Sequence, residues 1–213
     1  MTVPDDVLAA LVARVRHAEP RLPGPGAAEP WRATRLVCVD GPAGSGKTTL
    51  ATQLAAELAC QVVHLDDLYE GWEAGPDGGA RRLGEWVLEP LAAGRAGRYR
   101  RYDWYAGRYA ERHDVEPGPF LVVEGCGAAA RQVDRWAALR VWVEADDDER
   151  LRRTLARDGD DARGHLLRWM ADERAHYARE RTRERADVRL DGRGNHVEPF
   201  PGPTGPAPSS SHT

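Results

Sequence analysis

Apolar positions along the chain follow two rhythms. Short, nearly unbroken runs occur at Leu36-Val37-Cys38-Val39, around Val62-Val63 to Leu65, at Phe120-Leu121-Val122-Val123, and from Leu139 to Val143. Runs of four to six apolar residues bounded by turn signals read as buried strands. A shorter run from Ala186 to Leu190 reads as an edge strand. Between the runs the spacing changes to three and four. Val7, Leu8, Leu11, Val12 and Val15 share one face of a helix over 4–18, with Pro4 at its start. Leu50, Leu54 and Leu58 mark a second helix, and Leu83, Trp86, Val87 and Leu91 a third over 80–93, with Pro90 distorting its last turns. Residues 127–138, 146–158 and 164–183 continue the helical series. The stretches 20–30 and 71–79 are rich in Gly and Pro and read as a connector and a flexible loop. Strands alternating with helices predict an α/β fold.

The first run ends at Asp40, and the next residues, GPAGSGKT from Gly41 to Thr48, have the G-x-x-x-x-G-K-T spacing of a phosphate-binding loop. The motif needs a strand before it and a helix after it, and the pattern supplies both. Gly41, Ala43, Gly44, Ser45, Gly46, Lys47, Thr48 and Thr49 are the expected nucleotide-binding residues. Backbone N–H groups and the helix start would meet phosphate oxygens, Lys47 would add a point charge, and Thr48 would ligate Mg²⁺. Lys47 is the only lysine beside 29 Arg. A slim ammonium enters a phosphate cradle that a planar guanidinium would not.

Two other strands end in acids. Asp66 and Asp67 follow the second run and Glu124 closes the third. The carboxyl ends of strands are where α/β sheets bind ligands. Asp66 is expected to accept a hydroxyl proton or hold a Mg²⁺ water, and Glu124 to orient Mg²⁺. His64 reads as a packed or surface residue. Arg98 to Arg112 interleaves five Arg with five aromatics. Such a stretch can bind single-stranded nucleic acid or line a pocket for one base or sugar. Tyr102, Asp103, Trp104 and Arg108 are the expected lining, with Tyr69 beside them. Arg153 and Arg157, on one helical face with Arg150, are the candidates for a lid over the triphosphate.

Bulk composition narrows the class. The chain has 213 residues, 41% apolar and 30% charged, with net charge −4. That disfavours a long polynucleotide track or an anionic membrane as partner. No apolar run approaches the ~20 residues of a membrane span, and the first twenty residues lack the pattern of a secretion signal. Cys38, Cys60 and Cys126 lack C-x-x-C spacing and read as small apolar residues in a reducing cytoplasm. The expected organisation is an N-terminal helix and connector (1–30), a nucleotide-binding domain (31–191) and a disordered Pro/Gly/Ser-rich tail (192–213).

Five stretches in order carry a resemblance: GPAGSGKTT, HLDDLYEGW, the triplet Tyr102-Asp103-Trp104, LVVEG at 121–125, and DERLRRTLARD at 148–158. Together they resemble the uridine kinase and phosphoribulokinase-like family of P-loop kinases, over residues 35–190. The resemblance implies a P-loop NTPase fold: three α/β/α layers, a parallel five-stranded sheet and a short helical lid. It implies ATP and Mg²⁺ as cofactors, Asp66 as acid-base residue, Tyr102 and Asp103 as nucleoside contacts, Glu124 as the Walker-B residue, and Arg150, Arg153 and Arg157 on the lid helix. Uridine kinases carry a His shortly after their triplet; here none occurs between Asp103 and Arg112. The expected activity is therefore phosphoryl transfer from ATP to a hydroxyl of a small molecule, a nucleoside or another alcohol. The alternatives are an ATP-binding regulatory module and a kinase or binder of nucleic-acid ends.

Overall fold

The computed structural model describes residues 3–23 and 33–197. Most of the connector and residues 198–213 of the tail lie outside them. Five strands form one sheet: β1 (Arg35–Asp40), β2 (Gln61–His64), β5 (Phe120–Glu124), β6 (Ala137–Glu144) and β7 (Val188–Asp191). Their order is β2-β5-β1-β6-β7, with every pair parallel. Strands β3 (Gly97–Asp103) and β4 (Arg108–Val115) form a separate antiparallel hairpin.

Alternation along the strands builds the two outer layers. Leu36, Cys38, Leu121 and Val123 face one side of the sheet, in a core with Leu83, Val87, Leu88 and Leu91. Val37, Val39, Val122, Leu139, Val141 and Val143 face the other. There they meet α1 (Asp5–His17) and α2 (Lys47–Leu58). Val7, Leu11, Val12 and Val15 of α1 are buried. At about 1.5–3 kcal/mol gross for each fully buried side chain, they fasten this helix to the sheet. Pro4 sits one residue before the helix, its carbonyl accepting from Leu8 N–H at 3.0 Å.

Five sequence expectations change. Helix begins at Gly75, inside the expected loop: α3 (Gly75–Arg82) opens on Pro76 and runs into a π-helical turn, Leu83–Leu88, and α4 (Glu89–Ala92). Gly79 is there for packing, since a Cβ would stand 2.2 Å from the Tyr69 ring. The distortion precedes Pro90: the N–H of Glu89 bonds Gly84 O, five residues back. Residues 127–136 are turns and a short 3₁₀ segment (Arg131–Val133), and the last two expected helical residues open β6, because the buried Asp40 carboxylate accepts from the N–H groups of Gly127 (3.0 Å) and Ala129 (2.8 Å). The second lid helix, α6 (Arg163–Glu180), stops at left-handed Arg181 (φ 53°), and α7 (Thr182–Arg185) follows. Residues 192–197 fold as a turn: Asp191 accepts from Arg193 and Asn195 N–H, each at 2.8 Å, and Leu190 bridges His196. Among the described residues no helix is long and apolar enough to cross a membrane.

Candidate functional site

The carboxyl ends of β1, β2 and β5 open into one cleft of about 740 Å³. The segment after β1 turns back over the sheet into α2. Gly41 (φ 143°) begins it pressed against β6, where a Cβ would lie 2.0 Å from Val143 O. Ala43, Gly44, Gly46, Lys47, Thr48 and Thr49 line the cleft, whereas Gly41 and Ser45 do not. The Gly41 N–H donates to Asp40 Oδ1 at 2.7 Å and that of Ser45 to Pro42 O at 3.2 Å, so both are spent within the loop. The Ala43 N–H donates to Glu173 Oε2 at 2.8 Å.

Lys47 is buried and donates to Pro42 O at 2.9 Å, with Cys126 Sγ at 3.8 Å. Burial opposes its charge, but Cys126, Glu124, Glu173 and Asp40 outweigh burial and hold its pKa above the ordinary value. Burial pushes Cys126 up to about 12, so it stays a thiol and the carboxylates carry the effect at neutral pH. Thr48 Oγ1 donates to Glu124 Oε1 at 3.1 Å. The same oxygen meets His64 Nδ1 at 2.6 Å, a contact set by register, since His64 pairs with Glu124 across β2 and β5. That hydrogen bond raises the His64 pKa against its partial burial. The sequence reading missed His64 at the site. Gly125 (φ 135°) admits a close approach, but to Leu65, whose Cβ would lie 2.6 Å from an added Cβ.

Asp66 stands in a 3₁₀ turn, Leu65–Asp67, and lines the same cleft as Lys47. It keeps contact with solvent between crowded walls. Desolvation and then the Glu124 charge raise its pKa; Lys47, Arg157 and His64 offset part of the rise. No hydrogen bond reaches its carboxylate among the described residues, while its backbone O accepts from Trp104 Nε1 at 3.0 Å. Buried Tyr69 lines the cleft and donates to Cys126 O at 2.7 Å.

Tyr102 and Trp104 line the cleft from the β3–β4 hairpin, joined by Arg101 and Tyr105. Asp103 and Arg108 do not. The Asp103 carboxylate holds the hairpin turn by accepting from Tyr105 (3.0 Å) and Ala106 (2.9 Å) N–H, and Arg108 pairs with it in register on the exposed side. The other wall is helical. Capped by the Asp146 carboxylate, α5 (Asp147–Asp158) places Arg153 and Arg157 on the cleft. Arg153 donates to Gly44 O at 3.3 Å and to Glu149 at 2.8 Å; exposed Arg157 pairs with Asp158 at 2.6 Å. Arg150 turns inward, donating to Glu173 (2.6 Å), Asp147 (2.6 Å) and Ala43 O (2.9 Å). Trp169, Glu173 and Tyr177 recur every fourth residue on α6; Trp169 packs on Tyr69 and Trp72, and Glu173 and Tyr177 bolt the helix to the loop. Tyr177 Oη meets Gly41 O at 2.6 Å and Asp40 at 2.9 Å. That spacing was the available signal for Glu173, which sequence reasoning also missed.

Loop, strand-end acids and Arg-bearing helix define a P-loop protein with the fold of the uridine kinase-like kinases. A family model described as AAA domain matches residues 37–177, and the chain belongs to that family. Its fold is similar to a candidate uridine kinase from Bacillus stearothermophilus, at 18% identity and TM-score 0.59, over 87% of this chain and 98% of that one. It is also similar to a candidate fructose transport system kinase from Silicibacter sp. TM1040, at 20% identity and TM-score 0.58, over 80% and 94%. No curated protein matches the sequence.

Proposed function

We propose that the protein is an ATP-dependent kinase that transfers the γ-phosphoryl group to a hydroxyl of a small molecule. One observation carries the reading: a single cleft holds Lys47, Thr48 and Glu124 together with Asp66, whose carboxylate the described residues leave without a hydrogen bond. Lys47 and the N–H groups of Gly44, Gly46, Lys47, Thr48 and Thr49 bind the phosphates. Thr48 and Glu124 fit Mg²⁺, because a hydroxyl and a carboxylate already converge there at 3.1 Å. Bound there, the ion neutralises phosphate charge. Asp66 takes the acceptor's hydroxyl proton as its oxygen bonds to the γ-phosphorus; the bond from that phosphorus to the β–γ bridging oxygen breaks, and ADP leaves. Arg153 and Arg157 face the transferring group, and Tyr69, Tyr102 and Trp104 face the acceptor. A cytoplasmic location, with ATP and reduced thiols, and an acceptor smaller than a nucleic acid belong to the same proposal. An ATP-binding module without transfer is the rival.

Acceptor-dependent ADP release from Mg·ATP, across nucleosides, sugars and amino alcohols, tests the reading. Turnover with one acceptor class supports it; tight ATP binding with no turnover on the whole panel favours the rival. Two further results are expected. Arg157→Ala lowers kcat by on the order of 10³-fold, yet shifts stability by less than ~0.5 kcal/mol, since its partner Asp158 is on the surface. An unchanged kcat removes Arg157 from the reaction. The pH profile of kcat/KM should also show an acid limb, because a base must be ionised to accept a proton. Asp66's raised pKa puts that limb above the ordinary carboxylate value.

A further inference from the structure

The acceptor end of the cleft is a box of aromatic rings. The Trp72 ring meets Trp104 at 5.1 Å and 63°, and Trp169 at 6.1 Å and 76°. Tyr102 meets Trp104 at 5.5 Å and 85°. These faces are steeply inclined to one another. A base sandwiched between two rings needs near-parallel faces with one ring's thickness between them. The near-parallel pair at this end, Trp72 and His165 at 14°, already stacks at 5.3 Å and leaves no slot for a third ring.

Three of the polar groups that could read a neutral base or sugar are already engaged. Trp104 Nε1 is bonded to Asp66 O, and Tyr69 Oη to Cys126 O. The Arg101 guanidinium is held by Glu111, with Asp103 at 3.8 Å. Two carboxylates on the cleft stay largely unsatisfied beside the Tyr102 hydroxyl: that of Asp66, and that of Asp67, which has one long contact from Tyr99 Oη at 3.4 Å. Burial raises the Asp67 pKa, and His64, His113 and Arg101 reverse only part of that. Inclined aromatic faces over unsatisfied carboxylates are the chemistry that recognises an organic cation.

We propose that the acceptor is a cationic alcohol, an amino sugar or amino alcohol whose protonated or quaternary nitrogen sits against Trp72, Trp104 and Trp169 near Asp67. Its hydroxyl then points to Asp66. The proposal rests on the kinase reading for the fate of the hydroxyl, but not for binding.

Matched pairs test the charge alone. Tryptophan emission is followed without nucleotide during titration with choline against 3,3-dimethylbutan-1-ol, its uncharged carbon isostere, and with glucosamine against glucose, with uridine as the flat neutral ligand. The cationic member of a pair is expected to bind at least about tenfold more tightly. Asp67→Asn, checked by thermal melting to be folded, should erase that preference. Equal or tighter binding of the neutral member in both pairs overturns the proposal. So does tighter binding of uridine than of either cation, or no saturable response to either. Turnover of a neutral acceptor in the ADP assay without charge preference here would leave the kinase reading standing and remove this one. Charge-selective binding without phosphoryl transfer would do the reverse.

Discussion

Asp66→Asn should lower kcat by about 10²–10⁴-fold, the range that a positioned general base contributes, while the affinity for Mg·ATP changes little. Asparagine keeps the size of the side chain and cannot take the proton. Stability should hold or rise slightly. A carboxyl whose folded pKa is raised destabilises the fold once it is ionised above its unfolded pKa, and the amide removes that penalty. The acid limb of the kcat/KM profile should vanish with it. A variant with wild-type kcat would show that the proton goes elsewhere.

Glu173→Ala is expected to have the largest effect on stability. Glu173 and Arg150 are both buried, and one carboxylate satisfies the Arg150 guanidinium at 2.6 Å and the Ala43 N–H at 2.8 Å. Removing it takes from Arg150 its buried carboxylate partner, leaving only the exposed Asp147 and the Ala43 carbonyl, and strands a loop donor as well. Breaking a buried pair from one side costs about 3–5 kcal/mol, a fall in the thermal midpoint of roughly 6–20 °C for a chain of this size. Glu173→Gln keeps an acceptor for Ala43 and should lose less. Because Ala43 belongs to the phosphate loop, ATP affinity should fall with stability in the alanine variant. A midpoint within ~2 °C of wild type would mean that Arg150 finds other partners.

What the sequence carried was local. The loop motif, the apolar runs and the capped Arg-bearing helix are contiguous signals, and each lies where its spacing indicated. What it missed depends on pairings between distant segments. His64 reaches Glu124 only because β2 lies beside β5. An alanine-rich stretch that reads as helix is held in turns by Asp40, nearly ninety residues earlier. Gly79 looks like a loop residue until the Tyr69 ring is placed over it. The aromatic box draws Trp72 from before α3, Trp104 from the hairpin and Trp169 from α6, so no single window contains it. Asp103 had the right chemistry for a ligand contact, but its carboxylate is committed to its own turn.

Phosphorus NMR of Mg·ATP with the protein and pooled nucleosides, sugars and amino alcohols tests the central claim most directly. The account predicts that the γ-phosphate signal of ATP falls as a phosphomonoester signal rises in equal amount, with ADP as the other product and no change when the acceptors are left out. Release of the γ-phosphate only as inorganic phosphate, or an ATP spectrum unchanged by the whole pool, would contradict it.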